Sequence, residues 1–100
     1  MELSLTDIKL SNPIPVEGEE IKIYAKITNF GNSKVKDVWA VFYYTPELLF
    51  KKDRIEKYRN PEYEIHREKI GELDSGKSQV ITFGWVAKKD FKSIFVYAEE

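Results

Sequence analysis

In Ile21-Lys22-Ile23-Tyr24-Ala25-Lys26-Ile27-Thr28 the apolar residues Ile21, Ile23, Ala25 and Ile27 fall on every second position. A β-strand sends successive side chains to opposite faces, so this stretch predicts a strand with one face in a core and one in water. Working backwards, Leu3 and Leu5 share a parity that Ile8 and Leu10 do not. A bulge near Thr6-Asp7 would turn both pairs inward. Between these strands, Asn12-Pro13-Ile14-Pro15 cannot pair regularly, because proline donates no hydrogen bond, and Glu17-Gly18 predicts the turn into the next strand.

Working forwards, Asn29-Phe30-Gly31-Asn32 reads as a turn, and Val38-Trp39-Ala40-Val41-Phe42-Tyr43-Tyr44 is apolar at both parities. Such a strand either sits centrally with both faces covered or has one face in the core and the other in an interface. Thr45-Pro46-Glu47 resembles a helix start, with a capping threonine, proline at the first helical position and an early acid. One or two helical turns are therefore expected within Thr45–Pro61, ended by Asn60-Pro61. Tyr63 to Ile70 is charged and partly alternating, as an edge strand would be. Asp74-Ser75-Gly76-Lys77 forms a turn, Ile81, Phe83 and Trp85 share a parity, and Lys92 to Ala98 is apolar on both faces. Six or seven strands without alternating helices predict an all-β, antiparallel sandwich.

Composition agrees with one domain spanning residues 1–100. The chain has 100 residues, no cysteine, and 16 Lys+Arg against 17 Asp+Glu. Disulfide stapling and a cysteine-based zinc site are excluded, and bulk charge gives no reason to expect nucleic acid or an anionic membrane as partner. No stretch approaches the ~20 apolar residues that span a bilayer, and the first residues lack a secretory signal. Abundant Lys and Glu with Gln79 as the sole glutamine match a thermophile bias.

The order of residues resembles the CARDB family, a cell-adhesion-related domain of bacterial and archaeal surface proteins with an immunoglobulin-like sandwich fold. The resemblance runs through Asp7-Ile8, Asn12-Pro13-Ile14-Pro15, Ile21-x-Ile-x-Ala25-x-Ile27-x-Asn29-x-Gly31, Val38-x-Ala40-x-Phe42-Tyr43, Ile70-x-x-Leu73-x-x-Gly76-x-Ser78-x-x-Ile81-x-x-x-Trp85 and Ile94-x-Val96. It implies a non-catalytic adhesion or spacer module, outside the cell or on its surface, with neighbouring domains or another protein as partners. Two departures stand out. Thr45 to Tyr63 is an added excursion, and the family pattern continues into a further strand after Ile94-x-Val96. The strand Lys92–Ala98 is accordingly expected to be an edge that recruits either another segment or another copy.

No residue pattern announces catalysis, and no cofactor or metal is expected. His66 is the sole histidine, in the charged run Glu64-Ile65-His66-Arg67-Glu68, and is expected to be exposed. No serine has a nucleophile elbow to activate it. The pairs Glu19-Glu20, Glu62/Glu64 and Glu99-Glu100 read as solvated charge, and Lys51-Lys52 and Lys88-Lys89 as ordinary surface. Asp7, Asp37, Asp53, Asp74 and Asp90 are scattered, which leaves only a calcium site completed by a neighbouring domain. Gly31 and Gly76 are expected to supply turn dihedrals, and Asn29 to bond its own turn.

One candidate interaction face emerges. If Phe42 and Val96 point into the core, then Trp39, Val41, Tyr43, Phe95 and Tyr97 point out of the same sheet. An aromatic face of this size is seldom left bare. Three occupants are considered: the excursion folding back with Leu48, Leu49, Phe50 and Ile55, a neighbouring domain or second copy, or a glycan or peptide stacked on the rings. An accessory role beside a hydrolase domain is a further alternative.

Overall fold

The computed structural model describes residues 3–47 and 56–99. Six strands form two antiparallel three-stranded sheets: β1 (Leu3–Leu10), β2 (Glu20–Asn29) and β5 (Ser78–Val86) in the order β1-β2-β5, and β3 (Val35–Thr45), β4 (Glu64–Leu73) and β6 (Ser93–Glu99) in the order β4-β3-β6. This is the all-β antiparallel sandwich that the alternation predicts. Ile21, Ile23, Ala25 and Ile27 are buried against Val38, Ala40 and Phe42 from the facing sheet, with Ile81, Phe83 and Trp85 from β5. Phe42 and Phe83 meet across the layers with ring centres 5.1 Å apart. Burying one such ring stabilises by about 1.5–3 kcal/mol relative to exposure, which is why these positions admit no charge.

Parity switches are built into the ladders. The β1–β2 register shifts between Leu5 and Asp7, so Leu3 and Leu5 pack inward together with Ile8 and Leu10. Asp37 in β3 takes φ 54, and Val35 and Val38 on either side of it are both buried. Between Phe42 and Tyr43 the β3–β4 register shifts again, leaving Ile65 unpaired. The regular ladder before that shift corrects the expectation for His66, which lies opposite the buried Phe42 and on the parity of the buried Ile70. The ring is half-buried on the inner side of β4 and stacks on Phe83 with centres 4.3 Å and planes 7° apart, while Nε2 lies 3.2 Å from Glu68 Oε1.

Turn chemistry closes one end. Asn29 is fully buried; its amide donates to the carbonyls of Ser33 (2.8 Å) and Leu73 (3.0 Å), and its Oδ1 accepts from Gly31 N–H (2.9 Å). Gly76 has φ +77, a conformation that side chains resist. Gly31 does not share it; the second glycine at positive φ is Gly18, with φ +87, in the turn before β2.

The excursion differs in detail from its helical expectation. Thr45 ends β3 instead of capping a helix; it is fully buried, with its hydroxyl donating to Glu47 O (2.8 Å) and lying 2.6 Å from Ser93 Oγ. Short 3-10 turns follow at Glu56–Tyr58 and Pro61–Tyr63. Asn60 closes the first turn and starts the second: its amide donates to Lys57 O (3.0 Å) and its Oδ1 accepts from Glu62 N–H (3.0 Å). Leu48, Leu49, Phe50 and Ile55 lie outside the described residues.

Candidate functional site

The outer face of the β4-β3-β6 sheet brings the five sequence-selected residues together. The β3–β6 register sets Trp39 opposite Glu99, Val41 opposite Tyr97 and Tyr43 opposite Phe95. Opposed residues of an antiparallel pair share a face, so the aromatic rows interlock. Tyr43 stacks on Phe95 with centres 5.2 Å apart and meets the edge of Tyr97 at 6.3 Å. The face is not an open platform: Val41 is 0% and Tyr43 3% exposed, while Trp39, Phe95 and Tyr97 are half-buried.

Charged side chains complete the face. The Arg59 guanidinium lies 4.2 Å over the Tyr97 ring, and its Nε is 3.5 Å from Glu99 Oε1. Glu99 also accepts from the Tyr43 hydroxyl at 3.0 Å and lies 3.6 Å from Arg67. Arg67 in turn forks onto Glu64 at 3.0 and 2.7 Å and lies 5.9 Å from the Trp39 ring centre. The Tyr97 hydroxyl donates to Glu56 at 2.7 Å. Alternating cations and carboxylates on aromatic rings neutralise each other as they are desolvated.

The electrostatic consequences follow. Burial, reinforced by the Glu99 hydrogen bond and charge, pushes the Tyr43 hydroxyl up to about 12. Burial and the Glu56 carboxylate do the same for Tyr97, also to about 12. The Arg67 fork holds the Glu64 carboxyl below its usual value. Both phenols stay neutral hydrogen-bond donors at any physiological pH, which suits structure and offers no general base.

A second feature was missed from sequence. The 11–19 connection and the 87–92 connection meet at one end of the sandwich, joined by Gly18 N–H to Ala87 O (2.9 Å) and Ala87 N–H to Glu19 O (2.8 Å). Glu19, read as solvated charge, instead organises the loop: it accepts from the Asn12 amide (3.0 Å to each oxygen) and from Val16 N–H (3.2 Å), while Asn12 Oδ1 accepts from Ile14 N–H (3.1 Å). Held this way, Ile14 is 84% and Val16 69% exposed. Beside them lies an open groove of about 470 Å³ with Leu10, Pro13 and Phe91 among its apolar lining and Lys88, Lys89 and Lys92 among its charged lining. The prolines flanking Ile14 and the Lys88-Lys89 pair were the available signals. Each alone reads as ordinary loop, because only the fold brings them together.

Among the described residues no three His, Asp or Glu side chains gather as a metal would require, and no helix is long and apolar enough to cross a membrane. No family model matches the chain, and no curated protein matches it. Among solved structures the chain is similar to GmR58A of Geobacter metallireducens, determined in solution. The two share 23% identity over 93% of this chain and 74% of that one, with a TM-score of 0.55. At that identity the likeness concerns the fold, and it agrees with the sandwich described above.

Proposed function

We propose that the chain is a non-catalytic adhesion module of a cell-surface or secreted protein, engaging a protein or peptide partner through the end that carries residues 11–19 and 87–92. The observation that carries this reading is the pair Ile14 and Val16, held in water by a hydrogen-bonded loop beside a lysine-rimmed groove. Ordered apolar side chains on a fixed loop lose little freedom on binding, which makes them suitable anchors. The sequence resemblance to CARDB supports the adhesion class and the surface location.

Strand direction favours adhesion over a load-bearing spacer. β1 begins and β6 ends at the sandwich end opposite the groove, where Leu3 pairs with Asn29 and Glu99 with Trp39. Force applied at those two points would peel each strand from its neighbour one bond at a time. The groove end meanwhile stays clear of neighbours joined directly at either point.

A glycan reading on the outer aromatic face would rest on Trp39, half-buried with Arg67 near its ring. The test of the proposal is retention of cell-envelope fractions from the source organism on the immobilised protein, compared with an Ile14→Ser, Val16→Ser double variant of unchanged melting temperature. Retention lost in the double variant is expected. Equal retention would overturn the assignment of this end, and a loss confined to Trp39→Ala on a glycan array would move the site to the aromatic face.

A further inference from the structure

We infer that β6 pairs antiparallel with β6 of a second copy of this chain, joining two β4-β3-β6 sheets into one six-stranded sheet. The inference concerns a different surface from the groove end and stands independently of the adhesion proposal.

Edge strands normally carry devices that discourage pairing, such as charge, proline or bulges. β1 has its register break at Leu5/Asp7 and the exposed Asp7 and Lys9. β4 presents Arg67, Glu68 and Lys69 and a break of its own. β5 alternates cleanly between exposed and buried residues, as a strand built for one covered face does. β6 has none of these features. From Ser93 to Ala98 it holds no charge and no proline, its pairing with β3 runs unbroken from Thr45↔Ser93 to Trp39↔Glu99, and every residue is half-buried. It has the composition of a central strand, with Ile94, Val96 and Ala98 inward and Phe95 and Tyr97 outward. Yet among the described residues it has a hydrogen-bonded neighbour on one side only.

The occupant follows from the strand's own sequence. A two-fold axis at Val96 sets Ser93 opposite Glu99, Ile94 opposite Ala98 and Phe95 opposite Tyr97 of the other copy. This register keeps inward residues opposite inward ones while using all seven residues of β6. It places an aromatic pair on the outer face, continuing the stack that Tyr43 begins with Phe95. The two Glu99 side chains fall at opposite ends of the paired segment, each already beside Arg59 and Arg67 of its own chain. Two-fold pairing of one strand with itself is closed, so it yields a dimer and not a fibre.

The experiment uses the full chain. Sedimentation velocity from micromolar to millimolar concentration, with amide exchange followed by NMR at both extremes, is expected to show a doubling of mass. Alternate amides of residues 93–99, those pointing away from β3, should gain protection only in the dimer. Mixing isotope-labelled with unlabelled protein should give nuclear Overhauser contacts between Phe95 and Tyr97 rings of different copies. In Val96→Lys, which sets two ammonium groups face to face on the axis, dimerisation should be lost; Tyr97→Lys, on the outer face, serves if that variant does not fold. A chain monomeric at millimolar concentration overturns the inference. So does a dimer whose β6 amides are insensitive to dilution, or a monomer in which those amides are protected at every concentration.

Discussion

Replacing Tyr43 by alanine distinguishes a closed second core from a solvated aromatic platform. The ring is 3% exposed, stacks on Phe95, touches Tyr97 edge-on and donates its hydroxyl to Glu99 at 3.0 Å. Truncating a buried aromatic side chain costs about 3–5 kcal/mol, the lost transfer energy adding to the cavity left behind. Of that, the two ring contacts contribute on the order of 0.5–1.5 kcal/mol each beyond area. In a domain whose total stability is about 5–15 kcal/mol, the variant should approach the edge of folding. Tyr24→Ala is the matched control: the same residue type in mid-strand, half-buried on the outer face of the other sheet, with Lys9 Nζ 5.6 Å from its ring. Its loss should be about 1 kcal/mol or less. Urea unfolding followed by far-ultraviolet circular dichroism reads both, with the m-value checking that two-state behaviour is retained. A melting temperature lowered by more than about 12 °C in Tyr43→Ala is the thermal equivalent. If Tyr43→Ala loses no more stability than Tyr24→Ala, the outer face is not a core and the reasoning fails.

Other outcomes follow from the same contacts. Free tyrosine titrates near pH 10, whereas Tyr43 and Tyr97 are raised to about 12 in the folded chain. The folded state therefore holds these protons longer than the unfolded one. Their stabilisation is complete below about pH 10 and is lost as pH rises towards about 12. Ultraviolet titration of phenolate should show the late pair, and Tyr43→Phe should remove one of them. Gly76→Ala forces a side chain into φ +77 with nothing within 4 Å to clash, so it should cost the conformational term alone, about 1–2 kcal/mol in urea unfolding. Gly71→Ala, equally open but without a positive φ, should be neutral or stabilise by up to about 1 kcal/mol. Asn29→Ala strips partners from two carbonyls and one N–H, and a loss of at least about 2 kcal/mol is expected.

The strands were legible because period-two alternation survives wherever one face is buried, as in Ile21–Thr28. The bulge near Thr6-Asp7 was legible for the same reason, since two apolar pairs of opposite parity cannot otherwise share a core. Asp37 was not: a single left-handed residue between Val35 and Val38 leaves no compositional mark. His66 was misplaced because its neighbours are charged, and its inward place opposite Phe42, stacked on Phe83 of the facing sheet, is a property of pairing, not of local sequence. The shared face of Trp39, Val41, Tyr43, Phe95 and Tyr97 followed from β3 lying beside β6. That Arg59 and Glu56 pack over it did not, because a charged residue reads as solvated although its long stem covers apolar surface well. The groove end escaped notice because its residues come from separate loops whose convergence only the folded chain creates.

The closing of the outer face rests on Arg59 lying over Tyr97. Proton NMR tests that contact directly, since methylene protons held over an aromatic face are shifted upfield by the ring current. Upfield-shifted Arg59 δ-protons with nuclear Overhauser contacts to the Tyr97 ring, both abolished in Tyr97→Leu, are the expected result. Arg59 protons at their random-coil positions in the folded protein, without contacts to Tyr97, would contradict the account.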